Sequence, residues 1–399
     1  MRASVIIPSY NSRERLYYNL LSLNNQDCDY SIFEVVVVDN GSNDNTMEML
    51  KGFNSKYTLK FARINNNRGI AHGRNEGIKR AVGDILIFHD SDMLAPRDFI
   101  TSHLKHHEEK NIVVCGVPWK RINTFYYKEL EKAGANYKDT ILPRYGINID
   151  DIKQDKQPLI NSESIIDRSY LKYVYNLDTD FMKILKDILD KYEYNLSNYA
   201  LPWRFFITNN ASVERSRVIQ VGMFDEDIVG YGYEDYDLGI RLYKSGSKFV
   251  FDRDILNIHQ EHPSNIKISE AHNNVNYICK KYNNIYFLDV ILVCVSYVTS
   301  IDGSTINELV VDINNMLPVT SFRRLLEVLL ELIQTCRRRF FVEGIKDKNS
   351  VMPTIFINVK ELIIELNYLR NKFGIKYFTE AMLALIRDIY GINYQFINS

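Results

Sequence analysis

The chain predicts an α/β fold: a mostly parallel central sheet with flanking helices, followed by a C-terminal α-helical domain. Three observations carry that reading. Short β-branched or apolar runs alternate with helix-period segments through the first 116 residues. Polar and acidic turns close several of those runs. Beyond about residue 285 the strand-like runs give way to apolar rows spaced three and four apart, as on amphipathic helices.

The strand candidates are Ser4–Ile7, Glu34–Val38, Thr58–Ile64, Ile85–Phe88 and Ile112–Cys115. Leu16, Leu20 and Leu23 recur at helix period between the first two, and Arg74 to Ala81 continues a second helix. Strand and helix alternating in this way imply a parallel, Rossmann-like sheet covered on both faces. Ligands of such sheets sit at the carboxyl ends of the strands. Pro8-Ser9-Tyr10-Asn11, Asp39-Asn40-Gly41-Ser42 and His89-Asp90-Ser91-Asp92 all fall there.

Residues 117 to about 205 are rich in Tyr, Lys, Asp and Asn with weak periodicity, and predict an insertion beside the site. Strand-like pattern resumes at Trp203–Thr208 and Lys248–Phe251, with a helix from Glu234 to Lys244 that ends before Gly246. The expected division is residues 1–285 and a helical domain over 286–399. Rows at Leu325–Phe340, Val359–Leu366 and Phe378–Ile389 predict three packed amphipathic helices.

The charge total of −1 gives no general attraction to nucleic acid. Five scattered cysteines without metal-ligand spacing read as reduced thiols in a cytoplasmic protein. The first strand starts within a few residues of Met1, so no leader is expected. The apolar run Val290–Ile301 is too short to span a bilayer and predicts a buried element. Association with the inner membrane face stays compatible with this, as does a homo-oligomer through the helices. Twelve Lys/Arg balance twelve Asp/Glu after residue 285, and Arg337-Arg338-Arg339 is the one basic cluster there, a weak pointer to anionic lipid.

Asp90 and Asp92, two residues apart at a strand end, can turn toward one divalent cation, which can hold a diphosphate. Bare Asp-x-Asp is more often a solvated turn; its place after an apolar strand favours the cation. Asp39 closes a run of four valines and can accept a base N–H, or begin an Asx-type turn. The polar loop Asn66–Asn75 enters a helix, so Arg68 and Arg74 can meet phosphate or stand as surface charge. His259 and His262 flank Gln260-Glu261 before Pro263, which argues for a loop and for one ligand, His259. His103, His106 and His107 read as the surface of a charged helix. Glu234 and Asp235 open a helix after a glycine-rich turn, where the dipole keeps a carboxylate ionised and available as a base, or merely caps the helix.

In this order the motifs resemble the family 2 glycosyltransferases of the GT-A fold. Val5-Ile6-Ile7-Pro8-Ser9-Tyr10-Asn11 is similar to their opening strand, and Val36–Ser42 with Asp44 to their base-binding strand. Asn67-Arg68-Gly69 with Arg74-Asn75 is similar to their phosphate-side loop, and Asp90-Ser91-Asp92 to their metal motif. Asn210-Ala211-Ser212 and Gly232–Leu242 resemble the acceptor side of galactosyl- and N-acetylgalactosaminyltransferases and of chondroitin-type polymerases.

The resemblance implies metal-dependent inverting transfer from a nucleotide sugar, usually a UDP-sugar, to a glycan, lipid-linked, glycoconjugate or peptide acceptor. It implies nucleotide-sugar contacts from Pro8, Ser9, Tyr10, Asn11, Asp39, Asn67, Arg68, Arg74, Asp90 and Ser91. Asp92 and His259 would bind Mn²⁺ or Mg²⁺, with Asp235 as general base and Glu234 beside it. Asn210, Tyr231, Gly232 and Tyr233 would face sugar or acceptor. Tyr231 stands where tryptophan is common and Asn209 where glycine often stands, so donor sugar and acceptor stay unnamed. A sugar-nucleotide-forming nucleotidyltransferase is disfavoured because Pro8-Ser9-Tyr10-Asn11 is no glycine-rich basic loop. A catalytically silent scaffold is disfavoured because Asp92 and Asp235 are both present.

Overall fold

The computed structural model of the chain describes residues 2–193, 196, 198–264, 267–342 and 351–392. Its nine strands are β1 (Ala3–Ser9), β2 (Phe33–Asp39), β3 (Thr58–Arg63), β4 (Ile85–Phe88), β5 (Met93–Leu94), β6 (Ile112–Ile122), β7 (Tyr175–Asn176), β8 (Ala211–Glu214) and β9 (Lys248–Gln260). The helices among them are α1 (Arg13–Leu23), α2 (Thr46–Gly52), α3 (Ile70–Arg80), α4 (Phe99–Leu104), α5 (Lys128–Lys132), α6 (Ser162–Ile166), α7 (Asp180–Tyr192), α8 (Arg215–Gln220) and α9 (Glu234–Lys244). They are followed by α10 (Ile268–Lys281), α11 (Leu288–Val295), α12 (Ile306–Met316), α13 (Arg323–Arg337), α14 (Val359–Phe373) and α15 (Lys376–Tyr390).

Two compact units emerge. The first comprises residues 1–198, 202–230 and 234–266; the second comprises 199–201, 231–233 and 267–399. The second unit thus begins at Lys267 and includes α10, upstream of residue 286.

In the first unit one mixed sheet runs β3-β2-β1-β4-β8-β6-β9-β5, with β7 added to β6. The β3-β2-β1-β4 half is parallel, as is the β6–β9 ladder, while β8, β5 and β7 pair antiparallel. The strand order reverses between β1 and β4, and the carboxyl ends of β1, β2 and β4 open a crevice there. Val5, Ile7, Val35, Val37 and Ile87 bury one sheet face under Leu16, Leu20 and Leu23 of α1 and Phe99 of α4. Each such side chain contributes about 1.5–3 kcal/mol by leaving water. That packing holds the strand ends in register.

Two expectations change. Trp203–Thr208 is not a strand: Pro202–Phe205 forms a 3₁₀ turn. Trp203, Phe205 and Phe206 are all buried, which the alternation of a half-buried strand would not permit. They pack close to Gly239 of α9, where an added Cβ would lie 3.0 Å from Phe206 Cβ.

His103 and His107 are not surface residues either. His103 is fully buried and joins a relay: His107 Nε2 lies 2.8 Å from Ser212 Oγ, Ser212 Oγ 2.9 Å from His103 Nδ1, and His103 Nε2 3.0 Å from Asn210 Oδ1. Asn210 Oδ1 can only accept, so His103 Nε2 carries the proton and the Ser212 hydroxyl donates to His103 Nδ1. Asn210 Nδ2 donates to the Ile255 carbonyl at 2.9 Å. Gly116 leaves the room: a Cβ there would lie 2.4 Å from Asn210 Nδ2. The relay ties α4, β8 and β9 together, which spends both ends of Asn210 inside the fold.

In the second unit the three expected amphipathic helices are α13, α14 and α15. Leu329, Leu332 and Ile333 are buried there with Met382, Leu385 and Ile386. The apolar run at Val290 lies in buried α11. Arg337-Arg338-Arg339 does not form a free basic patch. Arg337 bonds Asn276 and Gln334, Arg338 donates to Glu331 at 2.8 Å, and Arg339 donates to the carbonyls of Val351, Asp388 and Ile389. Among the described residues no helix is long and apolar enough to cross a membrane, and the five cysteines are free thiols.

Burial is the main cause holding His89 and His107 down to about 4 and His103 down to about 3. The unfolded chain takes up these protons from about pH 6.5 downward. The folded chain then resists them, so this stability is complete above pH 6.5 and drains as pH falls toward 4. Each histidine adds a slope of up to about 1.4 kcal/mol per pH unit. Denaturation midpoints measured from pH 7.5 to 4.5 should fall steeply below 6.5; a flat profile would contradict the buried relay.

Candidate active site

The crevice is built from the ends of β1, β2 and β4 and the loops beyond them. β1 ends at Pro8 and Ser9, both buried, and Tyr10 is half exposed. Ser9 Oγ lies 3.0 Å from Ser12 Oγ, which donates to Ser91 Oγ at 2.9 Å, joining the β1 end to the β4 end. Asn11, at φ 48°, donates its N–H to Ser42 Oγ and accepts from Asn43 N–H, each at 2.9 Å. Asp44 receives the Arg13 N–H at 2.9 Å. The β1 and β2 turns therefore fix one another.

Asp39 closes β2. One oxygen accepts the Ser42 N–H at 2.9 Å, and the other is buried without a hydrogen-bond partner, 3.5 Å from Arg63. An Asx turn and an open acceptor coexist in this one carboxylate. Gly41 beside it has φ +83°, and a Cβ there would meet Asn67 N at 2.9 Å. Only glycine lets the Asn67 loop approach the strand end. Asn40 clasps that loop by donating to Asn67 Oδ1 at 3.0 Å and to the Gly69 carbonyl at 2.9 Å. Arg68 is largely exposed, 3.8 Å from Glu226.

Arg74, on α3, is the buried centre of the site. Nη1 donates to Glu234 Oε1 at 2.7 Å and Nη2 to Asp90 Oδ1 at 2.9 Å, while Phe224 lies under the guanidinium at 5.4 Å. Burial opposes its charge, and Asp90 and Glu234 more than restore it, so Arg74 stays cationic. Burial raises Asp90 to about 6 against the pull of Arg74. Asp235, next to Glu234 at the start of α9, is pushed up to about 8, first by burial and then by the Glu234 charge. The helix start does not keep Asp235 an ordinary ionised carboxylate; Arg74 and the Tyr236 N–H, 2.8 Å away, offset only part of the rise. The third carboxylate, Asp237, is structural: it takes Arg241 Nη2 at 2.6 Å and Nε at 2.9 Å, while Arg241 also holds the Val221 carbonyl.

Asp92 turns away from Asp90 toward β9. His262 Nε2 lies 2.9 Å from Asp92 Oδ2 and His259 Nε2 3.7 Å from it, and Asp92 Oδ1 is buried without a partner. His262 Nδ1 faces the Pro263 carbonyl at 2.8 Å, and His259 Nδ1 faces Glu261 at 3.1 Å. Both Nδ1 atoms therefore carry protons, leaving both Nε2 lone pairs aimed at a carboxylate. Lone pairs converging in this way call for a cation between them, a proton or a metal. The three ligand atoms lie within 4.8 Å of one another. His259 itself is in β9, paired with Met93 rather than in a loop. His262 joins it in the cluster, a residue the sequence reading set aside.

Residues 4–175 match the family model described as Glycosyl transferase family 2. The chain is 45% identical over 391 residues to "Uncharacterized glycosyltransferase YfnE" of Bacillus subtilis (strain 168), covering 98% of this chain and 97% of that one. This chain belongs to glycosyltransferase family 2. It is also 26% identical over 333 residues to a chondroitin synthase of Pasteurella multocida (strain Pm70), covering 78% of this chain and 32% of that one. Validoxylamine A glucosyltransferase of Streptomyces hygroscopicus subsp. jinggangensis (strain 5008) is 27% identical over 264 residues, 65% of this chain and 55% of its own length. The chain therefore spans about a third and about half of these two relatives.

In this GT-A glycosyltransferase, Ser9, Asn11, Asp39, Asn67, Arg74, Asp90, Ser91, Asp92, Glu234, Asp235 and His259 all belong to the first unit. Asn210 does too; it is buried and bonded to His103 and Ile255. Tyr231, Gly232 and Tyr233 group with the second unit, where Asn274 donates to the Tyr231 and Gly232 carbonyls at 3.2 and 3.0 Å. Tyr233 has φ 76°, a strained conformation for a side chain of that size. Glu226 was not anticipated: it takes His72 Nδ1 at 2.6 Å and Asn75 Nδ2 at 2.9 Å, bracing α3 behind Arg74. Its Gly222-Met223-Phe224-Asp225-Glu226 setting was the available signal.

Arg74→Met should destabilise the protein by about 3–5 kcal/mol, because Glu234 would be left buried, and Asp90 half-buried, without their cation. Adding Glu234→Gln should recover part of that loss. Urea unfolding of both variants checks this, and additive losses would disprove the bridge.

Proposed function

We propose that this family 2 glycosyltransferase moves a sugar, with inversion, from a nucleotide sugar to a glycan, lipid-linked or other glycoconjugate acceptor, with a divalent cation. A UDP-sugar is the favoured donor class. The observation that carries the proposal is the division of labour at the strand ends. An open acceptor on Asp39, an Arg74-braced pair Asp90–Glu234 and a cluster Asp92–His259–His262 lie along one crevice.

In this reading the free Asp39 oxygen accepts a base N–H and Asp90 takes a ribose hydroxyl. Asp92, His259 and His262 hold Mn²⁺ or Mg²⁺, which supplies positive charge to the leaving diphosphate. Arg74 holds Glu234 in place and turned from solvent, and the Glu234 charge beside it raises the basicity of Asp235. The Asp235 carboxylate takes the acceptor hydroxyl proton. The acceptor oxygen then bonds the anomeric carbon as the bond to the diphosphate oxygen breaks, on the opposite face. Residues 117–205 and the helical second unit are the places from which acceptor selectivity would come. A peptide acceptor docked by those helices is the second reading; no feature of the second unit favours it over a glycan.

The deciding assay is nucleotide release from a panel of sugar nucleotides with Mn²⁺, with EDTA as control. Cation-dependent release from one donor supports the reading. Donor affinity that ignores EDTA, with no release from any donor, sinks it.

Because the base form of Asp235 is its carboxylate, kcat/KM for acceptor should rise with pH through an apparent pKa near 8 and be lost as pH falls below it. Asp235→Asn should lower turnover by at least about 10²-fold, the scale of general-base catalysis, while donor binding persists. Unchanged turnover would remove Asp235 from the base role.

Asp92→Ala and His262→Ala should each weaken Mn²⁺ binding by about 10-fold or more, read by calorimetry on the protein without donor. Equal affinity in His262→Ala would leave His262 outside the coordination set.

A further inference from the structure

The proposed reaction leaves unused a group of aromatic and basic side chains within the residue 117–205 segment. Strand register places it beside the site. His259 on β9 pairs with Arg121 on β6, and Arg121 pairs with Tyr175 on β7. Directly opposed residues of neighbouring strands project to the same sheet face. Tyr175, Arg121 and His259 therefore form one row on the face that carries the Asp92 cluster. Two strand spacings set Tyr175 at about 10 Å from His259 along that row.

The row is stiff at its outer end. The Tyr175 hydroxyl donates to Asn123 Oδ1 at 3.3 Å. Tyr145 donates to the Asn123 carbonyl at 2.7 Å and stacks on Tyr173 with ring centroids 4.3 Å apart. Arg144 lies 5.2 Å over the Tyr175 ring. The two guanidiniums of the group differ in one respect. Arg121 is spent on Glu261 at 3.0 Å, whereas Arg144 is exposed and has no carboxylate within ion-pair distance among the described residues. An aromatic face holds the planar guanidinium in orientation without neutralising it. What remains is a pre-oriented fork, matched to the paired oxygens of a carboxylate or phosphate, beside tyrosine rings suited to the apolar face of a sugar.

We propose that Arg144 and Tyr175 form an acceptor subsite for an anionic saccharide, one carrying a carboxylate or a phosphate close to the hydroxyl that is glycosylated. This rests on the transfer reaction proposed above and names the acceptor class for it. Arg144 is the specificity-determining residue, and Tyr175 positions it.

Saturation-transfer NMR on the full chain with UDP and Mn²⁺ tests this with three probes: methyl β-glucuronide, glucose 6-phosphate and neutral methyl β-glucoside. At least one anionic probe should bind five-fold or more tightly than the neutral one, and which one does so separates a uronate from a phosphate acceptor. Arg144→Met should abolish the preference, Arg144→Lys should keep part of it, and Tyr175→Ala should weaken it, each in a protein whose unfolding midpoint matches wild type. Equal binding of all three probes, or a preference that survives Arg144→Met, overturns the subsite. Cation-dependent nucleotide release by wild type is measured in parallel. Its presence with no anionic preference rejects the subsite alone, and its absence together with donor affinity that ignores EDTA rejects the transfer reading itself.

Discussion

The site depends on one buried guanidinium. Arg74 joins Asp90, at the end of β4, to Glu234, at the start of α9, two segments far apart in sequence. Without a cation between them, these carboxylates and Asp235 would crowd like charges into a half-buried space. That arrangement cannot stay ionised. With the cation, Asp90 and Glu234 are held at defined positions and the remaining strain falls on Asp235, which is driven up to about 8. Glu226 supports this from behind by fixing His72 and Asn75 on the same helix. α3 therefore does more than cover the sheet: it carries the charge that makes an acidic pocket tolerable.

The second constraint is the strand order. Reversal between β1 and β4 opens the crevice, and β9 brings His259 to the far side of the same β4 turn through the short β5 ladder. Asp90 and Asp92 thus face different partners despite lying two residues apart. Asp90 looks to Arg74, and Asp92 looks to two imidazoles whose Nδ1 protons are already committed. The two carboxylates of one short turn therefore meet different partners.

Much of this was legible in the chain. The valine run closing on Asp39, the acidic end of β4 and the glycine-rich entry to α9 all signal local chemistry through local composition, and all three fall where they were expected. What composition could not show were partnerships across long separations. Arg74 read equally well as a phosphate contact or as surface charge, because nothing nearby in sequence reveals that Glu234 would reach it. His103 read as surface because its neighbours are charged; buried, it bonds Ser212 and Asn210, which meet it only in the folded sheet. His262 was set aside because Pro263 ends regular structure, yet the Pro263 carbonyl is what orients its ring. Trp203–Phe206 is apolar enough for a strand, but Pro202–Phe205 winds into a 3₁₀ turn whose rings are buried.

The raised proton affinity of Asp235 has two causes, burial and the Glu234 charge beside it. A lone carboxylate at a helix start would be a weak base near its ordinary value, stabilised by the dipole. Here burial raises it first and the Glu234 charge raises it further, while Arg74 offsets part of the rise. A base is most effective when its pKa lies near the working pH, so this setting suits Asp235 to the base role proposed for it. Asp237, one turn-position further on, takes no part. Arg241 binds it doubly and holds it within the fold.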